Sequence, residues 1–240
     1  MNKGLKDKNI MITGAGRGIG KRLAIGLAQM GARIGLVARS KAELDLAALE
    51  IEHAGGTSLR VRADVRDYEQ LSAAAERFRV HFGHLDVLVC AAGIQGPVGP
   101  LVEAEPKAWL ETIETNLGGV VNALHCVLPG MIERRHGKVI VLSGGGAMKP
   151  RPYFSPYASS KAAVARLVET VAEEVKDHNV QVNCMSPGAK GARTQVKGPP
   201  RGGSNWIKPP SQSIARGHDA RSYPVRLSTR RVCVFLPSIS

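Results

Sequence analysis

Short apolar runs alternate with longer stretches in which apolar residues recur every three or four positions. Asn9–Thr13 (NIMIT) is an apolar run stopped by glycines and reads as a buried strand. Gly18–Met30 follows as a helix, with Ile19, Leu23, Leu27 and Met30 at helical spacing and Gly31 closing it. Arg33–Val37 reads as a second strand. Lys41–His53 reads as a helix with apolar positions at Leu44, Leu46, Leu49 and Ile51, ended by Gly55-Gly56. The pattern continues with a strand at Ser58–Arg62, a helix at Tyr68–Phe82, and a strand at Leu85–Cys90. Pro106–Leu128 is mostly helical, Lys138–Leu142 is a strand, Tyr157–Lys176 a helix, and Gln181–Cys184 a strand. Apolar strands joined by amphipathic helices predict an α/β chain: a doubly wound parallel sheet with helices on both faces, in three layers. No repeat of solenoid type is present.

Composition narrows the class without changing this picture. The 240 residues are enough for one sizeable core, and with 43% apolar but only 4% aromatic residues that core must be mostly aliphatic. No apolar run approaches the ~18 residues of a membrane span. The N-terminus has no apolar stretch of leader type, so a cytoplasmic protein is expected. Cys90, Cys126, Cys184 and Cys233 are widely spaced, so neither a metal site nor a disulfide framework is expected. The net charge of +13 raises the question of nucleic acid. Residues 189–240 hold ten Lys and Arg against one acid, Asp219, whereas residues 1–188 hold 23 basic and 19 acidic residues. The basicity is a property of the last segment. It can draw polyanions nonspecifically, but there is no basic stripe with aromatics that would recognise a specific nucleic acid.

The first strand runs directly into TGAGRGIG, residues 13–20. Gly14, Gly18 and Gly20 allow a tight turn and close backbone approach, and the helix that opens there favours a pyrophosphate. A glycine turn between the first strand and first helix of an α/β chain points to a Rossmann-type dinucleotide site. The end of the second strand selects the cofactor. An acid there would hold the ribose 2′-hydroxyl of NAD, and an arginine accommodates the 2′-phosphate of NADP. This chain has Ala38 followed by Arg39 and Ser40, and Arg17 lies inside the glycine loop. Two arginines without an acid favour NADP.

These residues, taken with others in chain order from 5 to 188, resemble the short-chain dehydrogenase/reductase family in its common form. TGAGRGIG, with Thr13, Gly14, Arg17, Gly18, Ile19 and Gly20, resembles the family's cofactor loop. Asp64 and Val65 after the third strand resemble its adenine contact. CAAG, residues Cys90, Ala91, Ala92 and Gly93, is similar to its NNAG segment, with both asparagines replaced. Asn116 in ETNLGG matches its helix asparagine, Ser143 follows the fifth strand, YASSK (Tyr157 to Lys161) matches its YxxxK motif, and SPG with Pro187 and Gly188 resembles its loop beside the nicotinamide. The resemblance implies an oxidoreductase that moves a hydride between NADP and a small carbonyl or secondary alcohol. It also admits a homo-oligomer, dimer or tetramer, with helices Pro106–Leu128 and Tyr157–Lys176 able to pair in a family-like dimer.

The stretch YFSPYASSK offers two tyrosines to Lys161. Tyr157 lies four residues before Lys161, on the same helix face. Tyr153 lies eight before it, with Pro156 between, and the residue before a proline disfavours helix. Tyr157 is therefore the acid–base candidate, and Tyr153 belongs to a loop facing substrate or to the packing. A free tyrosine titrates near 10, and a nearby ammonium would lower that, so Tyr157 is expected to exchange a proton with the substrate oxygen while Ser143 holds that oxygen. The resemblance further implies that Lys161 holds the nicotinamide ribose and that Asn116 anchors a water. Ser155 is a weaker local rival of Ser143. Cys90 is expected to be a small buried residue, and His125 and His136 to be structural or solvated.

The resemblance stops at Gly188. The family continues with a cofactor-contacting threonine, a substrate lid, a helix and a last strand, whereas residues 189–240 are an atypical segment in which Gly, Pro and Ser supply 18 of 52 residues. Thr194 is a poor match for the threonine, and only VCVFL, residues 232–236, has strand character. Three readings are open: a divergent lid, a basic disordered tail, or, favoured here, a segment read in a shifted frame. Resequencing the coding DNA tests the last. The chain thus divides into a dinucleotide-binding and catalytic unit, 1–188, and the segment 189–240. An active NADP-dependent oxidoreductase is the first functional expectation. A catalytically impaired dinucleotide-binding protein or partner subunit is the second.

Overall fold

The computed structural model describes residues 4–187 and the backbone of 233–235. Strands β1 (Asn9–Thr13), β2 (Arg33–Ala38), β3 (Thr57–Arg62), β4 (Val87–Cys90), β5 (Gly137–Leu142), β6 (Val180–Ser186) and β7 (Cys233–Phe235) form one sheet in the order β3-β2-β1-β4-β5-β6-β7. Every pairing is parallel. Helices α1 (Gly18–Gln29), α2 (Lys41–His53), α3 (Tyr68–Phe82), α4 (Pro106–Ile113), α5 (Gly119–Glu133) and α6 (Ser155–Glu174) connect the strands. This is the expected doubly wound, Rossmann-type sheet. The short β7 falls within VCVFL. The rest of 189–240, and Gly188 with it, lies outside the described residues.

Two apolar layers sandwich the sheet. One joins Ile10, Ile12, Ile34 and Leu36 to Ala24 and Ala28 of α1 and Leu44, Ala47, Ala48 and Ile51 of α2. The other joins Met11, Leu88 and Val139 to Phe78 of α3, Met131 of α5 and Val168 of α6. Alternate side chains of one strand thus enter opposite layers, as the pleat requires. The large residues predicted to face the sheet do not all do so. Ile19 and Met30 are exposed, as are Leu46 and Leu49 of α2. The buried stripes run through Gly20, Ala24 and Ala28, and through Leu44, Ala47, Ala48 and Ile51, because small residues let these helices lie close to a sheet already filled by Ile and Leu.

Most elements differ from expectation by a residue or two at their ends, and the larger departures lie in the helices after β4. The helical stretch from Pro106 is interrupted by a π-turned segment, Glu114–Gly118, and then continues through Pro129 to Glu133. Burial of Met131 rewards that continuation, although proline deletes a backbone donor. Helix α6 starts at Ser155, two residues early, because Pro156 stands in its first turn, where no amide bond is required. At the opposite rim from the strand C-termini, Asp86 is a junction. Its amide donates to the Asn9 carbonyl at 2.9 Å, and its carbonyl accepts from Lys138 N at 2.9 Å. Its buried carboxylate accepts from Asn9 N at 2.9 Å. Lys8, His84 and His136 surround it at 3.6, 3.5 and 3.5 Å. His136 thus has an acidic neighbour that its sequence context does not reveal, and His125 packs edge-on against Tyr68.

Candidate active site

The C-terminal ends of β1, β4, β5 and β6 meet along one edge, at the crevice where the sheet order reverses between β1 and β4. Thr13 ends β1 and its carbonyl accepts from Ala91 N at 3.2 Å. The glycine loop turns next with Gly14 at φ +69°, a left-handed conformation. A Cβ on Gly14 would lie 2.6 Å from the backbone N and Cα of Ala92. A Cβ on Gly20 would strike the Gly14 carbonyl. Both positions therefore require glycine, and they draw the loop down onto the end of β4. Gly18, also at positive φ, opens α1 with Ile19. The N-terminus of α1 has no side-chain cap and no acidic residue in its first turn, so its amides and dipole are left to an anion. This cradle suits a pyrophosphate.

Arg17 and Arg39 flank the loop. Arg17 is 76% exposed and sits 3.8 Å from Glu43, and Arg39 is 54% exposed and sits 3.8 Å from Asp64. Both contacts are long and loose. Ser40 accepts from Glu43 N at 3.3 Å and so caps α2, a duty that its place just before Lys41, with Glu43 three residues on, was open to showing. Asp64 is gripped by Arg66 through Nη2 at 2.7 Å and Nε at 3.1 Å, and Arg66 reaches on to Glu111 at 2.8 Å. The Arg66 guanidinium holds the Asp64 carboxyl below its usual range, against the opposing effect of burial. Val65 is buried, and its carbonyl accepts from Asn122 at 3.0 Å.

On the other side of the crevice, Lys161 is buried and its Nζ donates to the Leu142 carbonyl at 2.9 Å. A Cβ on Gly93 would lie 3.6 Å from that Nζ and 3.1 Å from Asn116 Oδ1. Burial pushes Lys161 down to about 8, with Cys184 and Cys90 acting in the opposite sense. Cys90 itself is buried and burial pushes its thiol up to about 12, which leaves it an inert core residue as expected. Asn116 is fully buried in the π-turned segment. Its Oδ1 accepts from Ile94 N at 2.8 Å, and its Nδ2 donates to the Ile94 carbonyl at 2.9 Å and to Ser160 Oγ at 3.0 Å. Ser160 passes the link to the Tyr157 carbonyl at 2.8 Å.

Tyr157 lies with its hydroxyl against Gly144, where a Cβ would overlap it, one residue beyond Ser143. Its ring centroid is 5.7 Å from Lys161 Nζ. The expected lowering of its pKa is not seen in this arrangement. Burial raises the phenol, Arg151 opposes that rise, and the Lys161 ammonium is turned to the Leu142 carbonyl. Ser143 is buried and donates to the Lys161 main-chain carbonyl at 3.2 Å. Ser155 accepts from Trp109 Nε1 at 3.0 Å and so braces α6 against α4. Tyr153 is exposed in a loop at φ +70°, and its carbonyl accepts from Gly99 N at 2.9 Å. Pro187 follows β6 and is half-buried.

The fold therefore brings Ser143, Tyr157, Lys161, Asn116 and Cys90–Gly93 together, with the glycine loop against them. Arg66, Ser160 and Arg151 join the site without having been singled out in the sequence. Ser160 stands inside YASSK and was open to discovery there. The long-range partners of Arg66 and Trp109 leave no trace in sequence spacing.

Known proteins are similar to this one over most of the chain. The family model for short chain dehydrogenases matches residues 8–199. The chain is 33% identical over 187 residues to 2,3-dihydro-2,3-dihydroxybenzoate dehydrogenase of Bacillus subtilis, covering 78% of this chain and 71% of that one. It is 35% identical over 184 residues to 5-keto-D-gluconate 5-reductase of Escherichia coli, covering 77% and 72%. Among solved structures, a gluconate 5-dehydrogenase from Burkholderia cenocepacia, in complex with NADP and tartrate, superposes with a TM-score of 0.73 at 34% identity, covering 78% and 73%.

Proposed function

Since the chain belongs to the short-chain dehydrogenase family and is an oxidoreductase of that kind, we propose that it is an NADP-dependent enzyme that reduces a small carbonyl compound, or oxidises the matching secondary alcohol, in the cytoplasm. The observation that carries the reading is one convergence. The tyrosine helix α6 and the glycine loop meet at the ends of β4 and β5, with Lys161 Nζ beside Gly93 and Tyr157 against Gly144.

Thr13, Gly14, Arg17, Gly18, Ile19 and Gly20 would hold the pyrophosphate, and Asp64 and Val65 the adenine side. Arg39, with Ser40, would meet the 2′-phosphate, because its guanidinium is half-exposed and only loosely paired. Cys90, Ala91, Ala92, Gly93, Lys161, Pro187 and Gly188 would line the nicotinamide half. The bound cofactor supplies the hydride. Tyr157 supplies the proton: a phenol, which titrates near 10, is protonated at neutral pH, as a donor to a carbonyl oxygen must be, and burial shifts it further in that direction. Ser143 holds that oxygen once its hydroxyl turns from the Lys161 carbonyl. Asn116 fixes the Ile94 backbone and Ser160, and through them the start of α6. The NADP-bound gluconate 5-dehydrogenase structure supports the cofactor choice by similarity.

A thermal melt of the full chain with NADPH, with NADH and with neither tests the reading. Ligand at about 100 times its Kd adds ~2.7 kcal/mol, which for a chain of this size is a rise of roughly 5–10 °C. NADPH is expected to give the larger rise, and Tyr157→Phe to keep that rise while losing at least ~100-fold in carbonyl reduction. A cooperative melt unmoved by either nucleotide would refute the cofactor assignment and leave the dinucleotide site without a ligand.

A further inference from the structure

The mouth of the site is formed by the loop between β5 and α6, and one residue of that loop has no assigned task. Arg151 places its guanidinium 3.9 Å over the Phe154 ring and 5.6 Å from the centre of the Tyr157 ring. It has no acidic partner among the described residues, although many of the arginines there are paired, among them Arg17, Arg33, Arg39, Arg60, Arg66, Arg79 and Arg166. The loop is held from two sides. The Tyr153 carbonyl accepts from Gly99 N at 2.9 Å, tying it to the segment after β4, and the Phe154 amide donates to the Arg151 carbonyl at 3.2 Å. Helix α6 then opens without a side-chain cap and without an acid in its first turn. An exposed cation, stacked in place beside the proton donor and backed by the positive end of a helix, is placed to receive an anion.

We propose that the substrate carries a carboxylate a few bonds from its reacting carbonyl, and that Arg151 receives it. This rests on the reading of Tyr157 as the proton donor. The fork of a guanidinium matches a carboxylate in two parallel hydrogen bonds. Such a pair would fix the substrate's other end, so that its carbonyl is presented to the Tyr157 hydroxyl in one orientation. The Phe154 ring beneath the guanidinium restricts its rotamers and lowers the cost of forming the pair. Arg151 is thus a specificity-determining residue, and the enzyme is a keto-acid reductase or hydroxy-acid dehydrogenase.

The first test is binding, which does not depend on turnover. Malonate, which cannot be reduced, is titrated calorimetrically against the full chain with saturating NADPH, beside neutral malonamide and inorganic phosphate. Malonate is expected to bind at least tenfold more tightly than malonamide, Arg151→Gln to erase the difference, and Arg151→Lys to restore part of it. Equal binding of malonate by the parent and Arg151→Gln, no binding by either, or phosphate binding as tightly as malonate would overturn the carboxylate assignment. The second test is kinetic: 4-oxopentanoate against its methyl ester. The ratio of their kcat/KM values is expected to exceed ten and to collapse toward one in Arg151→Gln, chiefly through KM for the acid. Malonate binding that follows this pattern without reduction of either carbonyl would leave the receptor standing and count instead against Tyr157 as the proton donor beside it.

Discussion

Two neighbouring residues in the π-turned segment should respond oppositely to the loss of a polar side chain. Asn116 makes three hydrogen bonds, two of them to the amide and carbonyl of Ile94. Thr115 is 6% exposed, and its hydroxyl has no partner among the described residues. In Asn116→Ala the Ile94 amide and carbonyl lose their partners. An orphaned buried group costs ~1–3 kcal/mol. Ile94 is half-buried, so water re-satisfies part of it, and the two groups together should cost about 2–3 kcal/mol. For a chain of this size that is a drop of roughly 5–10 °C. Thr115→Val keeps the shape and removes an unpaired hydroxyl, so it should be neutral or stabilise by up to ~1 kcal/mol. Urea unfolding followed by circular dichroism reads both, with equal m-values expected. Equal destabilisation by the two substitutions would refute the hydrogen-bond reasoning, because it would show that the segment tolerates no change of any kind. So would an Asn116→Ala cost under ~0.5 kcal/mol.

Two further outcomes follow from the site. Lys161 is held at about 8 in the folded chain against an ordinary 10.5. Between those values the unfolded chain carries a proton that the native chain lacks, so raising the pH through this window should favour the native state. The gain should be up to ~3 kcal/mol and should be absent in Lys161→Met, as read by urea midpoints at pH 7.5 and 10. Gly14→Ala meets both a positive φ and the Ala92 backbone. It should lose the NADPH-induced rise in melting temperature and at least ~1–3 kcal/mol of stability, and a normal NADPH response in this variant would show that the loop does not need its close approach to β4.

The alternation of strands and helices was legible because apolar runs and helical spacing are local signals. So was the YxxxK pair, since four residues make one helix face. What stayed hidden depended on neighbours distant in sequence. The sheet-facing stripe of α1 is Gly20, Ala24 and Ala28 rather than its larger residues, because the room beneath it is set by Ile10, Ile12 and Leu36. Pro129-Gly130 reads as a helix stop, yet the burial of Met131 carries α5 past it. Tyr157 and Lys161 share a face as expected, but the lysine's preference for the Leu142 carbonyl comes from β5 and is invisible in YASSK. Ser40 and Asp64 were singled out as cofactor contacts and Asn116 as the anchor of a water, and the structure adds hydrogen-bond partners to each. Glu43 and Arg66 stand three and two residues from Ser40 and Asp64, within reach of local patterns, whereas Ile94, 22 residues from Asn116, came only with the fold.

The strand order has a consequence for how the chain is made. Strand β1 lies between β2 and β4, and the Asn9–Asp86 bond spans 77 residues. A nascent chain that has emerged to Arg62 can assemble β3-β2-β1 and nothing more. Its exposed margin is then NIMIT, five residues that are all buried in the finished molecule. At ~5–20 residues per second, β4 follows only some seconds later. Through that interval the most fully buried of strands β1 to β6 is an open edge, ready to pair with a neighbouring nascent chain. The glycine loop also lacks the Ala92 backbone against which it is shaped, so no nucleotide could rescue the half-made sheet by binding it. The vulnerable moment in this protein's life falls before its cofactor can help.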